Sequence, residues 1–294
     1  MFRLPTELDE LRRPDFWRTV LGAAPEFVVS RFLACGFVTD RGVEVATLLQ
    51  LKSKDELKSL AKSRGISQSG TKEVLAKKLF KANPSEMSGL FRGKRYITCT
   101  PKGQLLVEKL QESERELRLE AESQSESALR AGSHKDACTI VANFEASQVF
   151  QRGLGIDWSN YDAAHDIEIL NEIANYSSPR HRHIPENILS SLRISAGMMN
   201  LWGENNPLKW LTDSEQKFAP EARMILHAAI EKVRLKELRR AGIPRVKILS
   251  SGRDDVCNTC KKANGETYPR QSAPELPDSQ CTCPYGCPCT LIAV

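Results

Sequence analysis

Six cysteines crowd the end of this chain: Cys257, Cys260, Cys281, Cys283, Cys287 and Cys289, spaced C-x2-C-x20-C-x-C-x3-C-x-C. Thiols this dense are disulfides, free thiols or metal ligands. The opening MFRLPTELDELRRPDFW carries Glu7, Asp9, Glu10 and Asp15 and no apolar run. A secretory signal is therefore not expected, a reducing compartment is, and metal is favoured over disulfides. A C-x-x-C knuckle lets two thiolates reach one ion from a tight turn, and Zn²⁺ takes four such ligands in a tetrahedron. The far end supplies the others from four candidates, and an extended tail there sets Cys281 and Cys283 on one face. One ion with two spare thiols is the simplest count; two ions sharing bridging thiolates is the alternative. Four thiolates close the tetrahedron and leave no water to activate, so the site reads as structural zinc. The scattered Cys35, Cys99 and Cys138 read as small buried hydrophobes.

The 294 residues leave room for about two domains of 100–200 residues. With 40% hydrophobic and 27% charged residues, a packed core is expected and global disorder is not. No stretch approaches the ~18–20 uncharged apolar residues of a bilayer-spanning helix, so no membrane partner is expected. The net charge of +5 is modest, but it is concentrated. Lys52 to Lys81 holds nine bases against three acids, net +6, which leaves the rest of the chain near neutral. A phosphate surface attracts a local patch of this kind and ignores an average.

The periodicity predicts a mainly α protein. Residues 1–107 form an N-terminal helical region, with short helices over FWRTVLGA and EFVVSRFLACGFV, a helix pair within 48–82, a strand at Arg95–Cys99 and a helix from Gln104. Residues 108–135, rich in Glu, Ser and Arg, read as a charged, solvated helix or linker. Residues 136–245 form a helical domain with helices near Ala137–Gln151, Ala163–Tyr176, Pro185–Leu201 and Pro220–Ala241, the last stopped by Gly242 and Pro244. Residues 246–294, opening on the strand Val246–Leu249, form the cysteine-rich zinc unit with short β-strands.

In the basic pair, Leu57, Leu60, Ala61 and Ile66 face inward from the first helix, and Val74, Leu75, Leu79 and Phe80 from the second. Gly70 suits a tight turn or a close backbone approach. Ser69 or Thr71 caps the second helix, whose free amides also suit a phosphate. The pattern L-x-x-L-x-x-x-x-E-L-K-x-L-A-K-x-x-G-I-x-x-S-G-T-K-x-x-L-x-x-x-L from Leu48 to Leu79 resembles the SAP domain, a small helical DNA-binding module. The resemblance implies a DNA face, mostly of phosphate contacts, from Lys58, Lys62, Arg64, Ser69, Gly70, Thr71, Lys72 and Lys77. The bland reading of the same residues is a solvated basic face on a structural hairpin.

A second resemblance covers the C-terminal part. A long helix, a strand, Asp254 or Asp255, Cys257-x2-Cys260, Asn264-Gly265, Tyr268, a Leu-Pro and a closing Cys-x-Cys resemble tailed-phage head-morphogenesis (minor capsid) proteins. Asp278 or Ser279 stands where that family commonly has a His, so the extra cysteines would replace it as ligands. No His follows His227, so the cluster lacks the histidine base of an HNH-type nuclease.

Other polar groups read blandly. Arg180, His181, Arg182 and His183 are expected in an exposed loop. Asp162, His165 and Asp166 are helix-start chemistry, and Trp202, Trp210 and Phe218 are core. The basic run Arg234, Lys236, Arg239, Arg240, Arg245 and Lys247 either extends a nucleic-acid surface or solvates a helix face. The resulting expectation is a DNA-binding adaptor or scaffold, cytoplasmic or nucleoid-associated, with other proteins as further partners through residues 136–241. The alternatives are a head-assembly protein, located in a virion, and a nuclease whose catalytic residues the chain does not name.

Overall fold

A computed structural model describes residues 5–7, 18, 22–148, 151–153, 155–252 and 256–294. The protein is mainly helical, with small antiparallel sheets. It divides into two compact units, Met1–Glu114 and Arg115–Val294. The helix expected over FWRTVLGA lies largely outside the described residues, as do Asp254 and Asp255.

In the first unit, strands β1 (Thr6–Glu7), β2 (Val38–Thr39) and β3 (Tyr96–Cys99) form a sheet of order β1-β3-β2. Helix α1 (Pro25–Ala34) opens on Pro25, where the missing N–H would be unsatisfied in any case. It packs Val29 and Leu33 against Val38, Ile97 and Cys99. The basic segment builds its own core from α2 (Val45–Leu49), α3 (Lys54–Lys62), α4 (Lys72–Ala82) and α5 (Pro84–Gly89). Leu49, Leu57, Ala61, Leu75, Ala76, Leu79 and Met87 are buried there, with Leu60, Ile66 and Phe80 packed around them. Val74, expected inward, is 41% exposed. It lies about 100° around the helix from Leu75 and so misses the buried stripe.

Helix α6 (Pro101–Arg130) runs through the division between the units. The segment expected as a solvated helix or linker is helical, but the part within the second unit is not all solvated. Ala121, Glu122, Ser125 and Leu129 are buried. Ser125 Oγ donates to the Glu122 carbonyl at 3.0 Å and accepts from Trp202 Nε1 at 3.2 Å. The remaining helices are α7 (His134–Ser147), α8 (Ala164–Ala174), α9 (Glu186–Trp202) and α10 (Ala219–Arg240), close to the expected spans. They enclose a core that includes Val141, Leu170, Leu192, Met199 and the fully buried Trp202. Buried carboxylates in this unit are paired. Glu145 faces Arg152, and Glu122 accepts from Arg118 and Lys209 at 2.7 and 2.5 Å.

A second core adjoins the first across α10. Ala222, Ile225, Ala229 and Val233 face the helical core, whereas Met224, Leu235 and Leu238 face the other. That second core contains Val246, Ile248, Leu276, Leu291 and five buried cysteines. It lies on a sheet of order β5-β4-β6, made of β4 (Arg245–Leu249), β5 (Thr267–Pro269) and β6 (Thr290–Ala293), all antiparallel. Cys138 is buried as expected, but Cys35 is exposed, because it follows the last turn of α1 rather than lying on its inner face.

Replacing Ser125 by Ala strands the Trp202 indole N–H in the core. Ser125→Ala is therefore expected to cost about 1–3 kcal/mol, measured by denaturant unfolding. Gln124, exposed on the same helix, is the benchmark for a tolerant position. A loss for Ser125→Ala within the ~0.5 kcal/mol typical of such exposed sites would contradict the packing of α6.

Candidate functional site

The first thiols come from helix α11 (Asn258–Ala263). Cys257 is its N-cap and Cys260 lies in its first turn, so the knuckle projects two sulfurs from one short element. Cys257 N–H donates to Cys283 Sγ at 3.3 Å, drawing the distant segment over the knuckle. The chain then reverses at Gly286, whose φ of +98° favours glycine, and where a Cβ would stand 3.2 Å from Arg223 Cβ. This turn brings Cys287 and Cys289 back to the same place. Cys287 N–H reaches Met224 Sδ on α10 at 3.3 Å. Immediately afterwards β6 is held by the buried Glu231, which accepts from Thr290 Oγ1 at 2.7 Å and from Leu291 N–H at 2.8 Å.

The six sulfurs converge. Cys260 Sγ lies 3.4 Å from Cys281, 3.7 Å from Cys287 and 3.8 Å from Cys283, and Cys257 lies 3.9 Å from Cys281. These are far from the about 2.05 Å of a disulfide. They match the about 3.8 Å edge of a tetrahedron whose metal–sulfur bonds are about 2.3 Å. Two groups could each hold an ion: Cys257, Cys260, Cys281 and Cys283, and Cys260, Cys287 and Cys289. Five of the six thiols are buried, so the set is shielded from bulk water.

Protons within the array are unequally held. Hydrogen bonding from Cys287 brings Cys281 down to about 5 and Cys289 down to about 6. Burial pushes Cys283 up to about 11 and raises Cys260 further; the hydrogen bond to Cys281 raises Cys287. For Cys257, burial raises the thiol, but backbone hydrogen bonds at Cys260 and Thr282 outweigh it and lower it. A cation entering such a set displaces the shared protons.

The surroundings contain residues that the sequence does not mark as part of a site. Arg180 and His181, expected in an exposed loop, are drawn inward; His181 is buried, whereas Arg182 and His183 are exposed. Arg180 donates to Glu221 at 3.0 Å and to the Cys281 carbonyl, and His181 Nε2 lies 2.6 Å from the same carboxylate. The reason is Glu221 in the first turn of α10, a half-buried acid that needs partners. His227, farther along α10, hydrogen-bonds the Cys289 backbone, and its buried Nε2 has no partner among the described residues. A lone His within an apolar helix carries no signal of this. Half of the later basic run is engaged internally: Lys236 pairs with Glu172 and Glu168, Arg240 with Glu168, and Arg234 with Thr290.

The residues expected on the DNA face differ in how far their charges are engaged within the module. Thr71 caps α4 by accepting from Val74 N–H at 3.3 Å, and Ser53 and Glu56 form a reciprocal capping box on α3. Gly70 holds φ +122° in the turn between them, where a Cβ would meet Val74 Cγ1 at 2.8 Å. Ser69 turns its carbonyl to Lys78 Nζ at 3.0 Å. Arg64, assigned to the DNA face by resemblance, pairs with Glu86 and donates to the Leu60 carbonyl, fastening α3 to α5. Lys77 pairs with Glu73 at 2.6 Å, and Lys58 approaches Asp55 at only 4.0 Å. Lys62 and Lys72 form no ion pair among the described residues.

No family model, curated protein or solved structure matches the chain. No helix among the described residues is long and apolar enough to cross a membrane.

The Glu221 network carries a pH signature. Burial raises this carboxyl, but hydrogen bonds from His181 and Arg180 outweigh it and hold it at about 2, against 4.5 ordinarily. A lowered carboxyl contributes stability that is fully present above the unfolded-state value and is lost as pH falls toward the folded one. Glu221→Gln is expected to be less stable than the parent by about 3 kcal/mol at pH 6, with the difference shrinking between pH 4.5 and 2. Unfolding curves across that range check this; a difference independent of pH would contradict it.

Proposed function

We propose that this protein is a non-enzymatic DNA-binding adaptor or scaffold. Its basic helical module grips duplex phosphates, and a structural zinc centre of Cys257, Cys260, Cys281, Cys283, Cys287 and Cys289 stabilises its C-terminal part. The observation that carries the reading is the segregation inside the module. Its leucines, alanines and Met87 are enclosed in a private core, while a segment of net +6 keeps Lys54, Lys62, Lys77 and Lys81 exposed and Lys58 and Lys72 half-exposed. Phosphates are the chemistry such a surface attracts, through counterion release and without base readout. Arg64 supports this face by fastening the helices rather than by touching DNA.

Zinc is favoured by the ligand type. Thiolate sulfur suits Zn²⁺ and excludes the oxygen-loving Mg²⁺ and Ca²⁺. A closed thiolate set holds structure and offers no position for substrate. A second reading, a head-assembly component of the tailed-phage type, draws on one observation. The strand after the long helix, β4, pairs with β6 directly after the closing Cys-x-Cys, so the two ends of that resemblance belong to one small sheet. Co-sedimentation with capsid particles is the result that would favour this reading over the first.

The 294-residue chain titrated with duplex DNA is expected to lose affinity steeply between about 50 and 200 mM salt. Lys62→Glu and Lys72→Glu should each weaken binding several-fold at the lower salt, on any sequence. Affinity indifferent to salt and to both reversals would overturn the phosphate grip. Cys257→Ser is expected to lower bound zinc, read by elemental analysis, and to lower the melting temperature. Full zinc content in that variant would refute its place as a ligand.

A further inference from the structure

We propose that the six thiolates hold two metal ions rather than one, in two tetrahedra that share the Cys260–Cys281 edge. This rests on the reading of the cluster as a metal centre and goes further, to its stoichiometry and bridging ligands.

The geometry of the sulfurs carries it. Two separate tetrahedra need eight ligands, and two that share an edge need six, the number present. Cys260 belongs to both groups of convergent sulfurs. Its neighbours span the cluster, Cys283 on one side at 3.8 Å and Cys287 on the other at 3.7 Å. Cys281, its nearest sulfur at 3.4 Å, belongs to the first group alone as the sulfurs stand, and the second ion would draw it in as the other bridge. It lies 3.9 Å from Cys257 and hydrogen-bonds Cys287. Cys257 and Cys283 complete one tetrahedron, and Cys287 and Cys289 the other. The alternative, one ion on Cys257, Cys260, Cys281 and Cys283, leaves Cys287 and Cys289 as buried thiols whose only role is packing. Yet Cys287 stands as close to Cys260 as Cys283 does, and Cys289 converges on the same sulfur.

Charge is consistent with the same count. Four thiolates around one divalent ion carry −2, and six around two such ions also carry −2. The second ion therefore organises the last two sulfurs without adding buried net charge, which would be costly here. The Arg180 guanidinium meets the Cys281 carbonyl but is already paired with Glu221, and Glu231 beyond Cys289 is itself an acid.

The test uses the full chain. Elemental analysis of protein purified with zinc in the medium, set against quantitative amino-acid analysis, is expected to give two zinc ions per chain. One ion per chain would overturn this proposal and leave the single-ion centre standing; none would overturn both. Exchange with ¹¹³Cd should then give two cadmium resonances in the range of sulfur-rich sites, each split by the other through the bridging sulfurs. Two resonances without mutual splitting would place the ions in separate sites and overturn the shared edge. Cys289→Ser should reduce the content from two ions to one, and retention of two would refute the assignment of the second tetrahedron. Because the parent protein alone decides the count and the splitting, the test survives any variant that fails to fold.

Discussion

Helix α10 is buried on two sides, and both cores of the second unit depend on that. A helix at the edge of a single core needs one apolar stripe. This one sets Ala222, Ile225, Ala229 and Val233 against the helical bundle and Met224, Leu235 and Leu238 against the cysteine-rich core. The sulfur cluster is therefore not a loose appendage. Its turn touches Met224, its following strand is held by Glu231, and the Cys281 carbonyl is reached by an arginine that Glu221 orients. All three anchors lie on, or act through, one rod of regular geometry. Sulfurs carried on short loops acquire a fixed mutual arrangement from that rod.

The basic module shows how an electrostatic surface emerges after folding has used part of the charge. Arg64, Lys77 and Lys78 are engaged with Glu86, Glu73 and the Ser69 carbonyl. Exposed pairs of this kind contribute little energy, but they fix which cations remain available. Lys62 and Lys72, from the end of one helix and the start of the next, are among those that remain, with Lys54 and Lys81. Local positive potential depends on such residual charges and not on the count along the chain.

Much of this architecture is legible in the residues because it rests on local rules. The helical stretches of the second unit announce themselves by periodicity, and Gly242 with Pro244 marks the end of α10. The spacing of the cysteines identifies a sulfur-rich centre without any knowledge of the fold. What escapes the sequence is non-local. Nothing in SSPRHRHIP distinguishes an exposed loop from one drawn inward by an acid 40 residues later, so the burial of His181 has no local sign. The charged composition of residues 108–135 hides Ala121, Ser125 and Leu129, since a few small or apolar residues are enough to seat a helix whose other faces are polar. Resemblance assigns Arg64 to a DNA face, whereas its actual partner, Glu86, lies on a helix beyond the motif. Which sulfurs converge on which is open for the same reason: spacing nominates the ligands, and only the fold brings them together.

Glu231 has an effect beyond anchoring. Strand β6 is the outermost member of its sheet, with β4 on one side only. An outer strand ordinarily offers unpaired amides as a template for another chain. Here the outward Leu291 amide is already occupied by a carboxylate from the same molecule. An incoming strand would meet a buried anion where it needs a donor, so this margin of the sheet is closed to self-templated growth.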